Sequence, residues 1–76
     1  MDSTSSKERM IAFASKTISD LMGDRTAELY VDFYKTRALA EIQVGLKELF
    51  EEFLGPMQAE PYKKEVDRLA TNRPTP

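Results

Sequence analysis

Between Gly23 and the Gly55-Pro56 pair run 31 residues, Asp24 to Leu54, with no proline and a single glycine, Gly45. Read as one helix, this stretch would be about 46 Å long at ~1.5 Å per residue. A compact domain of this chain length has a radius of gyration of only about 11 Å. A straight rod would therefore overhang its own domain. Either the helix breaks near Lys35-Thr36-Arg37 or it packs against a second copy, and both outcomes make a helical scaffold.

The apolar pattern inside the segment favours a break. Leu39, Ile42, Leu46, Leu49 and Phe53 are spaced 3, 4, 3 and 4, as a and d positions of a heptad are. Val44, Phe50 and Leu54 widen that stripe to the breadth of a bundle face, and Glu41, Lys47, Glu48, Glu51 and Glu52 form the wet side. Traced back seven residues, the register lands on Asp32 and Lys35, so it does not run through Thr36. Two helices are expected, 25–35 and 37–54, with one bent rod as the alternative.

Helices are expected on both flanks. Ser5 and Glu8 fit a capping box, and Met10, Phe13, Ala14, Ile18, Leu21 and Met22 recur at helical spacing, which predicts a first helix over 6–22. Gly23 suits the left-handed position that stops a helix, and Asp24 suits the cap of the next one. Gly55-Pro56 reads as a stop. Pro61 suits the first position of a last helix carrying Tyr62, Val66, Leu69 and Ala70 on one face. The expected fold is all-α: an antiparallel bundle of three to four helices in one domain over 5–72, with tails at 1–4 and 73–76.

Composition narrows the ways such a fold can be stabilised. The chain has 76 residues, 41% of them apolar and 32% charged, a normal balance for a folded domain. A domain this small buries only about 60–65% of its unfolded surface. Small folds often add a disulfide, a zinc site or a partner chain. Cysteine and histidine are both absent, which removes disulfides and the usual zinc ligand sets. Oligomerisation remains, so a homodimer or higher oligomer is expected.

The net charge of −2 offers no general attraction to nucleic acid or anionic lipid. The polar start Met1-Asp2-Ser3-Thr4-Ser5-Ser6 does not resemble a secretory signal, and no run of about 18 apolar residues predicts a membrane span. A cytoplasmic location is the default expectation.

The residues offer little chemistry. Without histidine there is no histidine-based nucleophile–base pair. Glu48, Glu51 and Glu52 form the densest carboxylate cluster, but they lack the Glu-x-x-His pattern of di-iron bundles and the glycine turn of calcium loops, so a solvated helix face is expected. Gly23, Gly45 and Gly55 are isolated and form no phosphate-binding loop. No catalytic, cofactor-binding or metal-binding residue is assigned, no cofactor is expected, and the chain is not expected to be an enzyme.

The block Leu29-Tyr30-Val31-Asp32-Phe33-Tyr34 carries the functional expectation. At 100° per residue, Leu29 and Phe33 share one side of a helix, while Tyr30, Val31 and Tyr34 spread across the other. A small monomer does not readily cover both sides. We therefore expect a non-catalytic interaction module, a small regulator, adaptor or assembly subunit that associates with itself or with another protein. Its expected interface is Leu29, Tyr30, Phe33, Tyr34, Leu39, Ile42, Leu46 and Phe50. On this reading Phe33→Asp dissociates or unfolds the protein. Two alternatives compete. One is a nucleic-acid-binding regulator using Lys63, Lys64 and Arg68, weakened by the interrupting Glu65 and Asp67. The other is a carrier of small apolar ligands between helices, with Met10, Met22 and Met57 as adaptable lining.

Overall fold

The computed structural model describes residues 6–71, excluding the side chain of Thr71. The expected tails and Ser5, one half of the capping box, lie outside the described residues. Four α-helices follow one another: α1 (Ser6–Met22), α2 (Asp24–Lys35), α3 (Leu39–Leu54) and α4 (Pro56–Thr71). No strand occurs among the described residues.

The long segment breaks at Thr36. Its N–H is donated to the Phe33 carbonyl at 3.2 Å and its hydroxyl to the same oxygen at 2.8 Å. The Arg37 N–H goes to the Tyr34 carbonyl at 3.0 Å. These i→i−3 bonds tighten the last turn and end the α-helical ladder. Ala38 then takes an extended backbone, φ −73° and ψ 156°, and caps α3. The third helix thus starts at 39, two residues later than expected, because the closing turn uses Thr36 and Arg37. An unbroken helix of about 46 Å would also exceed the longest dimension of the molecule, 34 Å.

The other two connections are single glycines. Gly23 and Gly55 each end one helix and begin the next. The Gly23 N–H bonds to the Ser19 carbonyl at 3.0 Å, and its carbonyl accepts from Ala27 at 3.1 Å. Gly55 repeats the arrangement with Glu51 and Ala59, both at 2.9 Å. Their backbones, φ 102°, ψ 159° and φ 89°, ψ 158°, are not the left-handed helical cap anticipated at Gly23. They lie in a region that is essentially accessible to glycine alone. With Gly23 as the N-cap, Asp24 becomes the first helical residue, where it accepts a hydrogen bond from the Ser19 hydroxyl across the corner.

The last helix starts at Pro56, five residues before the expected start at Pro61. Proline is favoured at a first helical position, and Pro56 occupies it. Pro61 falls inside the helix, where its missing N–H leaves the Met57 carbonyl without an intrahelical donor. Both residues are exposed, so water can supply that hydrogen bond.

The helices converge on Met10, Ala14 and Ile18 of α1, Ala27 and Tyr34 of α2, Ile42, Leu46 and Phe50 of α3, and Ala59, Val66 and Leu69 of α4. Phe50 lies at the centre. Its ring meets Phe13 of α1 edge-on at 6.1 Å between centroids and Tyr62 of α4 at 5.2 Å. Helix α1 packs mainly on α2 and α3 mainly on α4, while α1 also touches α3 and α4. Polar ties reinforce these pairs. Lys7 donates to the Lys35 carbonyl at 3.0 Å, placing a cation at the negative end of α2. Asp67 of α4 accepts from Gln43 at 2.8 Å and from Lys47 at 3.0 Å, both on α3, and these donors hold its carboxyl below the ordinary range.

The three glycines respond differently to alanine. A methyl group at Gly23 or Gly55 meets no atom within 4 Å, but the backbone there strains any L side chain. Gly45 is helical, and a methyl group would lie 3.7 Å from the Tyr34 ring, an ordinary contact. Gly23→Ala and Gly55→Ala should each cost about 1–3 kcal/mol, whereas Gly45→Ala should add up to about 1 kcal/mol. Urea unfolding followed by circular dichroism checks this; equal effects at all three positions would contradict the assigned backbone.

Candidate protein-interaction surface

The expected interface residues divide into two groups. Tyr34, Ile42, Leu46 and Phe50 are buried in the core of their own chain, so they are not open to another molecule while the fold is intact. Leu39 is half-buried against the same core. Ile42, Leu46 and Phe50 of the α3 stripe are turned inward against α1 and α4, whereas Val44 and Phe53, which widen and end that stripe, stay exposed at 56% and 50%. Leu29 and Phe33 remain in water at 67% and 51% exposure, one helical turn apart on α2. Tyr30 is half-buried between the two groups.

Helix α2 packs mainly on α1. Only Ala27 and Tyr34 among its 12 residues are buried. The aromatic side chains form a row across it. Tyr30 and Tyr34 have centroids 5.9 Å apart, and Phe33 and Tyr34 are 5.7 Å apart. The Arg37 guanidinium sits 4.5 Å over the Phe33 ring. Cations over aromatic faces are attracted by the ring quadrupole. This contact folds Arg37 back along α2 at the turn into α3.

Between α2 and α3 lies an open groove of about 460 Å³. Its lining includes Tyr30, Phe33 and Tyr34 on one side and Gly45 and Leu49 on the other. Gly45 contributes no side chain, and the Tyr34 ring leans into the space this leaves. Glu41, Glu48 and Glu52 line the α3 side, and Arg37 lies at the end of α2. A second depression, of about 410 Å³, is formed by Leu29, Tyr30 and Phe33 on the outer flank of α2.

The groove regroups the carboxylates seen in the sequence. Glu51 points toward α4 and pairs with Lys63 at 3.4 Å. Glu48 and Glu52 join Glu41 on the groove flank instead. The spacing of 7 and 4 between Glu41, Glu48 and Glu52, with Gly45 four residues after Glu41, is the helical signal of that flank. Glu48, Glu51 and Glu52 are all exposed, as a solvated helix face would be, but they are divided between two flanks of α3.

The basic residues of the nucleic-acid alternative are partly engaged. Lys63 holds Glu51, and Arg68 is bonded through two nitrogens to Glu65 in its own helix. Lys64 is exposed. For the ligand-carrier alternative, Met10 is packed in the core, Met22 is half-buried, and Met57 is 89% exposed, so the three do not line a common cavity. Among the described residues no group of acidic side chains is arranged to hold a metal ion. No described helix is long and apolar enough to cross a membrane. No family model, curated protein or solved structure matches the chain.

Burial pushes the Tyr34 phenol up to about 12, with neighbouring Tyr30 adding to the effect. A raised value means that the fold favours the neutral phenol. That contribution is complete below the unfolded value of 10.0 and is lost as pH climbs from there toward 12. In the Tyr30→Phe, Tyr62→Phe variant, Tyr34 is the last of the three tyrosines. With burial, the larger of the two causes, still in place, its phenolate absorbance should titrate well above 10.0 in the folded protein; a midpoint near 10.0 would place the ring in water.

Proposed function

We propose that the protein is a non-catalytic interaction module that docks protein through α2. The observation that carries this reading is the imbalance of α2, which buries two side chains while keeping Leu29 67% and Phe33 51% exposed, side by side. Large adjacent apolar groups left in water mark contact surfaces more often than isolated ones do. Aromatic rings supply much contact area with few rotatable bonds. Histidine and cysteine are absent, so histidine-based nucleophile–base pairs and the usual zinc ligand sets do not compete with this reading.

Self-association through the Leu29–Phe33 flank is part of this reading. A two-fold contact would set Leu29 and Phe33 of one copy on the same residues of the other and remove both from water. The single-residue connections at Gly23 and Gly55 support an antiparallel order of the helices, in which each sharp corner returns the chain along its predecessor. The sequence alone led us to expect that Phe33→Asp dissociates or unfolds the protein. With Phe33 half in water, we now expect the variant to fold and lose only association.

Light-scattering mass after size exclusion tests the reading. Wild-type protein should show a mass that rises with concentration. Leu29→Asp and Phe33→Asp should remain at monomer mass with unchanged helical circular dichroism. A wild-type chain that stays monomeric at every concentration would overturn self-association.

A further inference from the structure

We propose that the groove between α2 and α3 receives a cationic amphipathic helix from another protein. This inference rests on the reading of the chain as an interaction module, and goes beyond it by naming the chemistry of the partner.

The groove lies where the bundle is open. Helix α2 packs mainly on α1, and α3 mainly on α4, so α2 and α3 are not held face to face along their length. Tyr30 and Phe33 come to the groove from α2, and Leu49 from α3. Gly45 keeps the α3 wall low at its middle, beside the Tyr34 ring. Helices commonly bury an apolar face in a groove of this kind, through residues at i, i+3, i+4 and i+7.

The rim selects the sign of the partner. Glu41, Glu48 and Glu52 fall on one flank of α3, spread over about 16 Å at ~1.5 Å per residue. All three are exposed, and none is in an ion pair among the described residues. Glu51 and Glu65, by contrast, already hold Lys63 and Arg68. Arg37 is the single cation in the groove lining, and it is stacked on Phe33. The lining therefore carries three carboxylates against one guanidinium. Lysine or arginine side chains flanking an apolar stripe would meet these carboxylates while the stripe meets the rings. Opposite potentials across an interface favour the matching partner, and like charges reject the wrong one.

The same rim argues against a second copy in this groove. A two-fold contact centred there would bring the row Glu41, Glu48 and Glu52 against itself, and repulsion would oppose it. It also rejects nucleic acid and anionic lipid, whose phosphates share the sign of the rim. Self-association is left to the outer flank of α2, around Leu29, with Phe33 and Tyr30 bordering both that flank and the groove.

Synthetic peptides test the proposal on the full chain. One probe is a helical peptide of about 12 residues, long enough to span the carboxylate row, with a leucine stripe flanked by lysines. The other has glutamate in place of every lysine. Calorimetric titration should show the lysine peptide binding about tenfold or more tighter than the glutamate peptide, with the preference shrinking as salt rises. The Glu41→Gln, Glu48→Gln, Glu52→Gln variant changes only exposed side chains. It should keep its helical circular dichroism and lose about tenfold in affinity for the lysine peptide. Amide shift changes should centre on Gly45 and Leu49. Equal binding of the two peptides, an unchanged affinity of the triple variant, or shift changes elsewhere would each overturn the proposal. Concentration-dependent mass with no peptide binding would sink the groove assignment alone and leave the interaction reading standing. Peptide binding by a strictly monomeric chain would do the reverse for self-association.

Discussion

Phe50 sets the geometry on which the other features depend. Its ring is fully buried, edge-on to Phe13 of α1 and against Tyr62 of α4. One side chain thus ties three of the four helices together. Burial of a large apolar side chain contributes about 1.5–3 kcal/mol, and truncating a buried phenylalanine costs about 3–5 kcal/mol. Total stability for a domain is only about 5–15 kcal/mol. Ile42 and Leu46, also fully buried, extend the same line along α3. With this stripe committed to α1 and α4, α3 turns a different flank, bearing Glu41, Gly45, Glu48 and Glu52, toward α2.

The remaining helix, α2, is held mainly by α1. Its twelve residues offer the core Ala27 and Tyr34, and its far end is held partly by Lys7 on the Lys35 carbonyl. Elements with few buried apolar contacts occupy the low end of local stability, and binding surfaces are often drawn from there. An exposed ring on such a helix gains more from a partner than one on a rigid core helix, because the partner also restrains the helix. Arg37 over Phe33 partly shields the ring in the meantime. The surface has one origin: α2 fully buries only Ala27 and Tyr34, with Tyr30 at the edge of the core, and so leaves Leu29 and Phe33 in water.

Much of this architecture was legible in the residues. The 3-4-3-4 spacing from Leu39 to Phe53 identified α3, and its failure at Asp32 and Lys35 located the break. Gly23 and Gly55 marked two of the three connections. Three features were not legible, each for a physical reason. A Gly-Pro pair can stop one helix and start the next in a single step, which hid the first turn of α4. A heptad stripe looks the same whether it is covered by its own chain or by a second copy, so Ile42, Leu46 and Phe50 were assigned to an interface although they form the internal core. The carboxylate flank was obscured because neighbours in sequence, Glu51 and Glu52, are turned about 100° apart on the helix and so fall on different flanks, one beside Lys63 and the other on the groove. Leu29 and Phe33 were paired on one side of α2 by spacing alone, and both are exposed.

The central claim is that the Phe50-centred core belongs to one chain, while the surface of α2 is left for protein contacts. Native-state amide hydrogen exchange along a dilution series tests it most directly. Protection of the α3 amides around Ile42, Leu46 and Phe50 should be independent of concentration, while the α2 amides from Leu29 to Tyr34 exchange faster as the protein is diluted. Loss of α3 protection on dilution would show that the core is shared between chains and would contradict the account.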